Sequence, residues 1–302
     1  MRGFLNIDKP EGMTSFDVVR AVRRAARVKR VGHAGTLDPL ATGVLPVAVG
    51  DATRLIDALV DASKAYTAEV TFGSETTTDD AAGEVVVHAD ASALTRDEVA
   101  RALEAFVGRQ LQTPPAFSAL KLDGVPAYRA ARQGTPREMV AREVVAHALT
   151  LRSFVDGRAT IEIECGKGYY VRSLARELGR ALGVYGHVSA LKRTRVGPFR
   201  IERATPLAEA VRLLEARDLE SLLQAPDAVL VDWPAVILGA SELSDVLLGR
   251  ELAPEPVTGS VVEAGRTARA YTSDGVFVAQ MEAVEGARWH PYRVFREETQ
   301  SQ

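Results

Sequence analysis

Apolar residues at Val18, Val19, Val22 and Ala26 follow the spacing of one helix face, and Thr14 or Ser15 is placed to cap it, so a helix is expected over residues 16–28. The other face is basic. Arg20, Arg23, Arg24 and Arg27 recur at helical neighbour spacing, Lys29 and Arg30 follow, and no acidic side chain intervenes between Val18 and Leu37. Such a stripe has no place in a core and leaves two uses, a solvated face or a surface for a polyanion. Farther on, Tyr66–Gly73 alternates like a strand, Glu84–His88 is a β-branched run, and an acidic, Thr-rich turn separates them. Thr95 with Glu98 makes a capping box for a helix ending near Gly108, and Ala127–Gln133 reads as a shorter helix closed by Gly134.

Strand patterns rich in Val, Thr and Ile fill residues 140–165. After Gly166, Lys167 and Gly168 comes a helix from about Val171 to Leu182, closed by Gly183, with Arg172, Arg176 and Arg180 on one face. Helices carrying Leu213, Leu214, Leu222 and Leu223 lead to Pro226 and Pro234. A short helix from Ser241 to Gly249 then precedes brief strands separated by Gly and Pro, the pattern of a small β-barrel-like unit. The boundary falls near residue 230, which agrees with single cores ceasing to grow at roughly 250–300 residues.

Composition narrows the class. At 46% hydrophobic and 25% charged residues, the 302-residue chain matches ordinary soluble domains and excludes a disordered protein. The lone cysteine, Cys165, forms no internal disulfide and rules out a zinc site built on several cysteines, and with no signal-peptide or bilayer-spanning run a reduced, cytoplasmic setting is expected, with no membrane partner. His33, His88, His147, His187 and His290 show no metal-ligand spacing, so no metal is expected. The net charge of -3 hides an uneven distribution: residues 1–50 carry 8 basic against 4 acidic side chains, and residues 118–203 carry 16 against 8. A polyanion responds to the local field, so two basic segments that converge would form a binding face the total conceals.

The chemistry concentrates in residues 32–43, GHAGTLDPLATG. Glycines at 32, 35 and 43 let the backbone approach a ligand, and Pro39 biases Asp38 toward an extended conformation, presenting one carboxylate on a stiff loop. No Gly-Lys-Ser/Thr follows, which excludes a phosphate-binding P-loop. On spacing alone an Asp-Pro turn between helix and strand explains the segment equally well.

The longer run GHAGTLDPLATGVLPVAVGDATRL closely resembles the catalytic motif of the TruB family of tRNA pseudouridine synthases. Further blocks resemble the family in its own order: NIDKPEGMTSFDVV at 6–19, KAYTAEVTFGSETTTDDAAG at 64–83, QTPPAFSALKLDGVPAYRAARQG at 112–134, CGKGYYVRSLARELGRALG at 165–183 and HVSALKRTRVGPF at 187–199. The resemblance implies a mixed α/β (α+β) catalytic domain over residues 1–230 with a largely antiparallel mixed sheet, and a small PUA-like RNA-binding domain over 231–302. It implies that Asp38 is the catalytic aspartate and that Tyr66, in KAY, packs its ring on the target base. Tyr170 and Arg172, in KGYYVR, match a second tyrosine and an arginine beside that aspartate. Leu191, in SALKR, matches a pocket-lining leucine, His33 a histidine that helps displace the base, and Lys9 with Pro10 a pair that braces the loop.

The implied activity is isomerisation of the T-loop uridine of tRNA, position 55 in the usual count, to pseudouridine. That reaction breaks N1–C1′, turns the base and joins C5 to C1′. Cleavage builds positive charge at the sugar carbon, which an ionised carboxylate stabilises or traps; addition to C6 of the base and removal of a sugar proton are the other routes open to Asp38. One carboxylate suffices because uracil is both leaving group and returning nucleophile, so no cofactor is expected. Asp8 and Asp51, the nearest motif acids, form no recognisable pair with it. An adjacent guanidinium from Arg172 is expected to keep Asp38 ionised, and the basic helix with Arg20, Arg23, Arg24 and Arg27, together with Arg172–Arg180 and Lys192–Arg203, to hold phosphates. The expected partner is the tRNA T stem-loop, without a guide RNA, because the chain lacks the terminal extensions of guide-dependent relatives, and without an obligate protein partner. The competing reading is an RNA-binding tRNA folding factor in which catalysis is dispensable.

Overall fold

A computed structural model describes residues 1–295 apart from 119, 123–124, 134, 136–137, 220, 254–264 and 286–287. The chain opens with strand Gly3–Lys9 (β1), helix Ser15–Ala26 (α1), strands Val31–His33 (β2) and Thr42–Val49 (β3), and a 3₁₀ segment Gly50–Leu59. Strand Lys64–Phe72 (β4) leads into the hairpin Ser74–Thr76 (β5) and Val85–His88 (β6), then helix Arg96–Glu104 (α2) and strand Gly108–Gln112 (β7). A small ladder of Lys121–Leu122 (β8) with Val125–Pro126 (β9) precedes helix Ala127–Arg132 (α3). Long strands Arg142–Val155 (β10) and Arg158–Cys165 (β11), helix Val171–Ala181 (α4) and strand Gly186–Val196 (β12) follow. Short strands Phe199–Arg200 (β13), Thr205–Pro206 (β14) and Leu223–Gln224 (β15) flank helix Leu207–Ala216 (α5). Strand Ala235–Leu238 (β16), helix Ala240–Leu247 (α6), and strands Thr267–Thr272 (β17), Phe277–Val284 (β18) and Arg288–Val294 (β19) complete the chain.

The principal sheet runs β14-β1-β3-β12-β4-β11-β10-β7, with β2, β13 and β15 attached off that path. It is mixed but largely antiparallel: β1–β14 and β3–β12 are its parallel pairs. Both faces of β1 and β3 are covered, as continuous apolar runs require. Leu5, Ile7, Leu45 and Val47 meet α1 and α5 on one side, while Phe4, Val44 and Ala48 meet the 3₁₀ segment and part of the small C-terminal unit on the other. On the first side α4 comes so close to the start of β12 that a Cβ on Gly179 would stand 2.2 Å from the backbone nitrogen of Gly186. The small unit is a four-stranded sheet, β16-β17-β18-β19, around Trp289 and Met281. It docks through Arg293, which pairs with Asp57 at 2.9 Å, and Arg54, whose guanidinium lies 4.8 Å over the Phe295 ring.

Several expectations need correction. Gly108 does not close α2, which ends at Glu104 with Ala105 as its cap; Gly108 takes φ +99° to start β7. Leu223 is in a strand, not a helix, because it pairs with Leu5 across the edge of β1. Of the two candidate caps, Thr14 is the one α1 uses, its hydroxyl accepting from the Asp17 amide at 3.1 Å, which leaves Ser15 for another task. Gly134, expected to close α3, lies outside the described residues.

Candidate active site

The loop 34–41 joins β2 to β3 and is fixed from three sides. Ser15, buried at the start of α1, accepts from the Leu37 amide at 2.8 Å and donates to the Leu37 carbonyl at 3.2 Å. Lys9, fully buried at the end of β1, donates to the carbonyls of Met13 at 2.6 Å, Pro10 at 2.8 Å and Pro39 at 3.4 Å. Burial lowers the Lys9 ammonium to about 8, with Asp38 acting in the opposite direction. Arg193, from β12, donates to the carbonyls of Val44 at 2.8 Å, Gly35 at 3.0 Å and Thr36 at 3.5 Å. β12 passes so close to β3 that a Cβ on Gly43 would lie 2.2 Å from the Arg193 carbonyl, and Gly43 adopts φ +98°. Only glycine meets both conditions.

Asp38 projects from this loop into a cavity of about 610 Å³, a size that holds a nucleotide. Tyr66, Tyr170, Arg172, Leu191 and Arg193 line the same cavity. The Arg172 Nε lies 2.9 Å from Asp38 Oδ2, and its other nitrogens donate to the carbonyls of Thr78 at 2.8 Å and Phe117 at 2.9 Å. The guanidinium is thus fully engaged and directed, as a bidentate fork permits and an ammonium does not. A second carboxylate, Asp80, stands 3.7 Å from Arg172 Nε and is itself held by Thr78 at 2.6 Å and the Ala82 amide at 3.1 Å. Burial raises the Asp38 carboxyl above the usual range, Arg172 pulls it down and Asp80 pushes it up again. The guanidinium therefore fixes the carboxylate, but the net direction is upward, opposite to its expected effect.

Tyr66 lies on β4 directly opposite Arg193 of β12, and both side chains line the cavity. Burial pushes the Tyr66 hydroxyl up. Tyr170 is held by reciprocal bonds with Gln112, whose oxygen accepts from the Tyr170 amide at 2.8 Å and whose amide donates to its carbonyl at 3.0 Å. Its neighbour Tyr169 also reaches the cavity wall but is otherwise part of the apolar core. His33 does not line the cavity; it stands on β2, and burial lowers its ring, with the nearby Arg193 guanidinium adding to that effect.

The arginines separate into two groups. Arg20, Arg24 and Arg27 are exposed on α1, whereas Arg23 is tucked inward and donates to the Val31 carbonyl at 3.3 Å. Arg176 and Arg180 do not form a phosphate-holding stripe: Arg176 is buried against Asp79, and Arg180 pairs with Glu75. Their partners, Glu75 on β5 and Asp79 in the acidic turn that follows it, are both buried. Asp80, Gln112 and Arg193 carry the site's geometry and escaped individual notice in the sequence, where Ser15 stood out only as a candidate helix cap. Among the described residues no group of three or more His, Cys, Asp or Glu side chains is placed to hold a metal.

Two family models match in succession: the N-terminal domain of the TruB family pseudouridylate synthases over residues 23–171, and the tRNA pseudouridylate synthase B C-terminal domain over 172–231. A tRNA pseudouridine synthase B from Dinoroseobacter shibae is 43% identical over 97% of this chain and 95% of its own length. This chain belongs to the TruB family of pseudouridylate synthases. A second relative of the same name, from Symbiobacterium thermophilum, is 49% identical over 82% of each chain. Among solved structures, a Cbf5-Nop10-Gar1 complex matches with a TM-score of 0.75 and 26% identity, over 97% of this chain and 85% of that one. A member of the TruB family is an isomerase acting on RNA, and the mixed sheet followed by a small β unit is the architecture the solved relative shares.

Proposed function

We propose that this chain converts the T-loop uridine of tRNA, position 55 in the usual count, to pseudouridine, with Asp38 as its one catalytic carboxylate. The observation that carries the proposal is the placement of Asp38 inside a nucleotide-sized cavity, 2.9 Å from Arg172, with Tyr66, Tyr170 and Leu191 around it. Extruding a loop base costs a few kcal/mol, less where stacking is already poor, and an aromatic wall recovers part of that cost. Tyr66 offers the ring on which the base packs. Ionised Asp38 then meets the positive charge that develops at C1′ as N1 departs, and Arg172 keeps its oxygens directed. The freed uracil turns and rejoins through C5, so the base that leaves is the nucleophile that returns.

Tyr170 and Leu191 complete the base pocket, Lys9 braces the catalytic loop, and His33 helps displace the base. Phosphates of the T stem meet Arg20, Arg24 and Arg27 on α1, which are exposed, and Lys192, Arg200 and Arg203 near β12, which are exposed as well. Residues 1–230 form the catalytic domain and 231–302 a PUA-like domain that contacts the end of the acceptor stem. Similarity to relatives named as tRNA enzymes is higher, at 43% and 49%, than to the Cbf5 complex at 26%, which favours an enzyme working in the cytoplasm without guide RNA or protein partner. Purified protein and bare tRNA transcript test this directly: a carbodiimide adduct at one T-loop uridine is the expected product. A requirement for a guide RNA, or release of free uracil, overturns the assignment.

A further inference from the structure

We infer that Arg193 is a positioning residue that couples the catalytic loop to the strand carrying the base-stacking tyrosine: its guanidinium holds the loop while its backbone pairs with Tyr66, so that Asp38 and Tyr66 are set relative to each other. The side chain is 2% exposed, and among the described residues no carboxylate pairs with it. An unpaired buried cation is costly unless its hydrogen bonds are made, and here backbone carbonyls make them. Nε takes the Val44 carbonyl at 2.8 Å, just past the loop's end, while the terminal nitrogens take Gly35 at 3.0 Å and Thr36 at 3.5 Å, just before Asp38. The Arg193 backbone is pinned too, paired with Tyr66 on one side and Gly43 on the other. Loop and tyrosine arrive from different parts of the sheet, and Arg193 is the residue of β12 whose backbone faces Tyr66 while its side chain reaches the loop. Carbonyls fanned around one planar fork cannot all be satisfied by a lysine, whose donors radiate from a single point.

The inference rests on Asp38 and Tyr66 acting together on uridine, so the test separates the two ideas. Single-turnover isomerisation and RNA affinity are measured for wild type, Asp38→Asn, Arg193→Lys and Arg193→Gln. A shift of about 1 Å in the reacting groups costs about 100-fold in rate, so both Arg193 variants are expected to lose about 100-fold in rate while RNA affinity stays within about three-fold. Amide exchange in the two variants is expected to rise in residues 34–41 and stay unchanged in β4 and β11. An active Asp38→Asn overturns the catalytic reading itself. A dead Asp38→Asn beside Arg193 variants of wild-type rate overturns only the coupling. Exchange that rises throughout the sheet, or recovery of both variants only as unfolded chain, makes Arg193 a core brace and overturns it as well.

Discussion

Replacing Lys9 with Met separates loop bracing from folding, because a methionine fills the same buried space and removes the charge. In the native protein the ammonium serves three carbonyls, and the longest of those bonds, 3.4 Å to Pro39, is the one beside Asp38. Burial lowers Lys9 to about 8 from 10.5, so above about pH 8 the folded chain has released a proton that the unfolded chain still holds. Stability then rises with pH, by about 1.4 kcal/mol per unit at most. Above pH 9.0 the buried Cys165 thiol, pushed up to about 12, keeps a proton that the unfolded chain loses, and the opposing slope cancels the gain. The informative window is therefore between about pH 8 and 9. There, neutral Lys9 has fewer protons for the same carbonyls, so the loop loosens and the rate falls while stability rises by about 1 kcal/mol. Lys9→Met is expected to be slower by about ten-fold below that window, flat in rate across it, and without the Lys9 share of the stability gain. Single-turnover rates and urea unfolding at matched pH measure both. Equal alkaline slopes in the two proteins, or an unchanged rate in the variant, would refute the reasoning.

Other substitutions probe other contacts. Burial raises the Asp38 carboxyl and Arg172 lowers it, so activity is lost on the acid side as Asp38 protonates; Arg172→Met should move that acid limb to higher pH, and a limb that stays put counts against the pairing. Gly43→Ala puts a Cβ at φ +98° and 2.2 Å from the Arg193 carbonyl, and should cost about 3 kcal/mol or more in denaturant unfolding. RNA affinity should fall steeply with salt despite the net charge of -3, and Arg24→Ala with Arg27→Ala should lower the log-log slope by about 2; a slope equal to wild type removes α1 from the interface.

The parts of the fold legible in the sequence are those governed by local rules. The apolar periodicity of α1, the alternation of β4 and the Gly183 stop after α4 fall within a residue or two of their expected places. The loop bearing Asp38 was legible because glycines and an Asp-Pro step restrict a backbone wherever they occur. What escaped depends on partners far along the chain. Asp79 and Asp80 sit in an acidic turn whose local sequence names no partner, yet they meet Arg176 and Arg172, more than ninety residues away. In LKRTR the basic residues look equivalent. A register shift in β12 between Arg193 and Arg195 turns the first into the interior and leaves the second on Glu164, and no local pattern records that shift.

The most direct measurement maps pseudouridine across a mixed pool of RNA transcripts treated with wild type or with Asp38→Asn, alongside the affinity of each protein for tRNA. A single T-loop uridine modified by wild type, no modification by the variant and nearly equal affinities are the predicted result. Equal pseudouridine yield from both proteins would contradict it and remove the carboxylate from the centre of the chemistry.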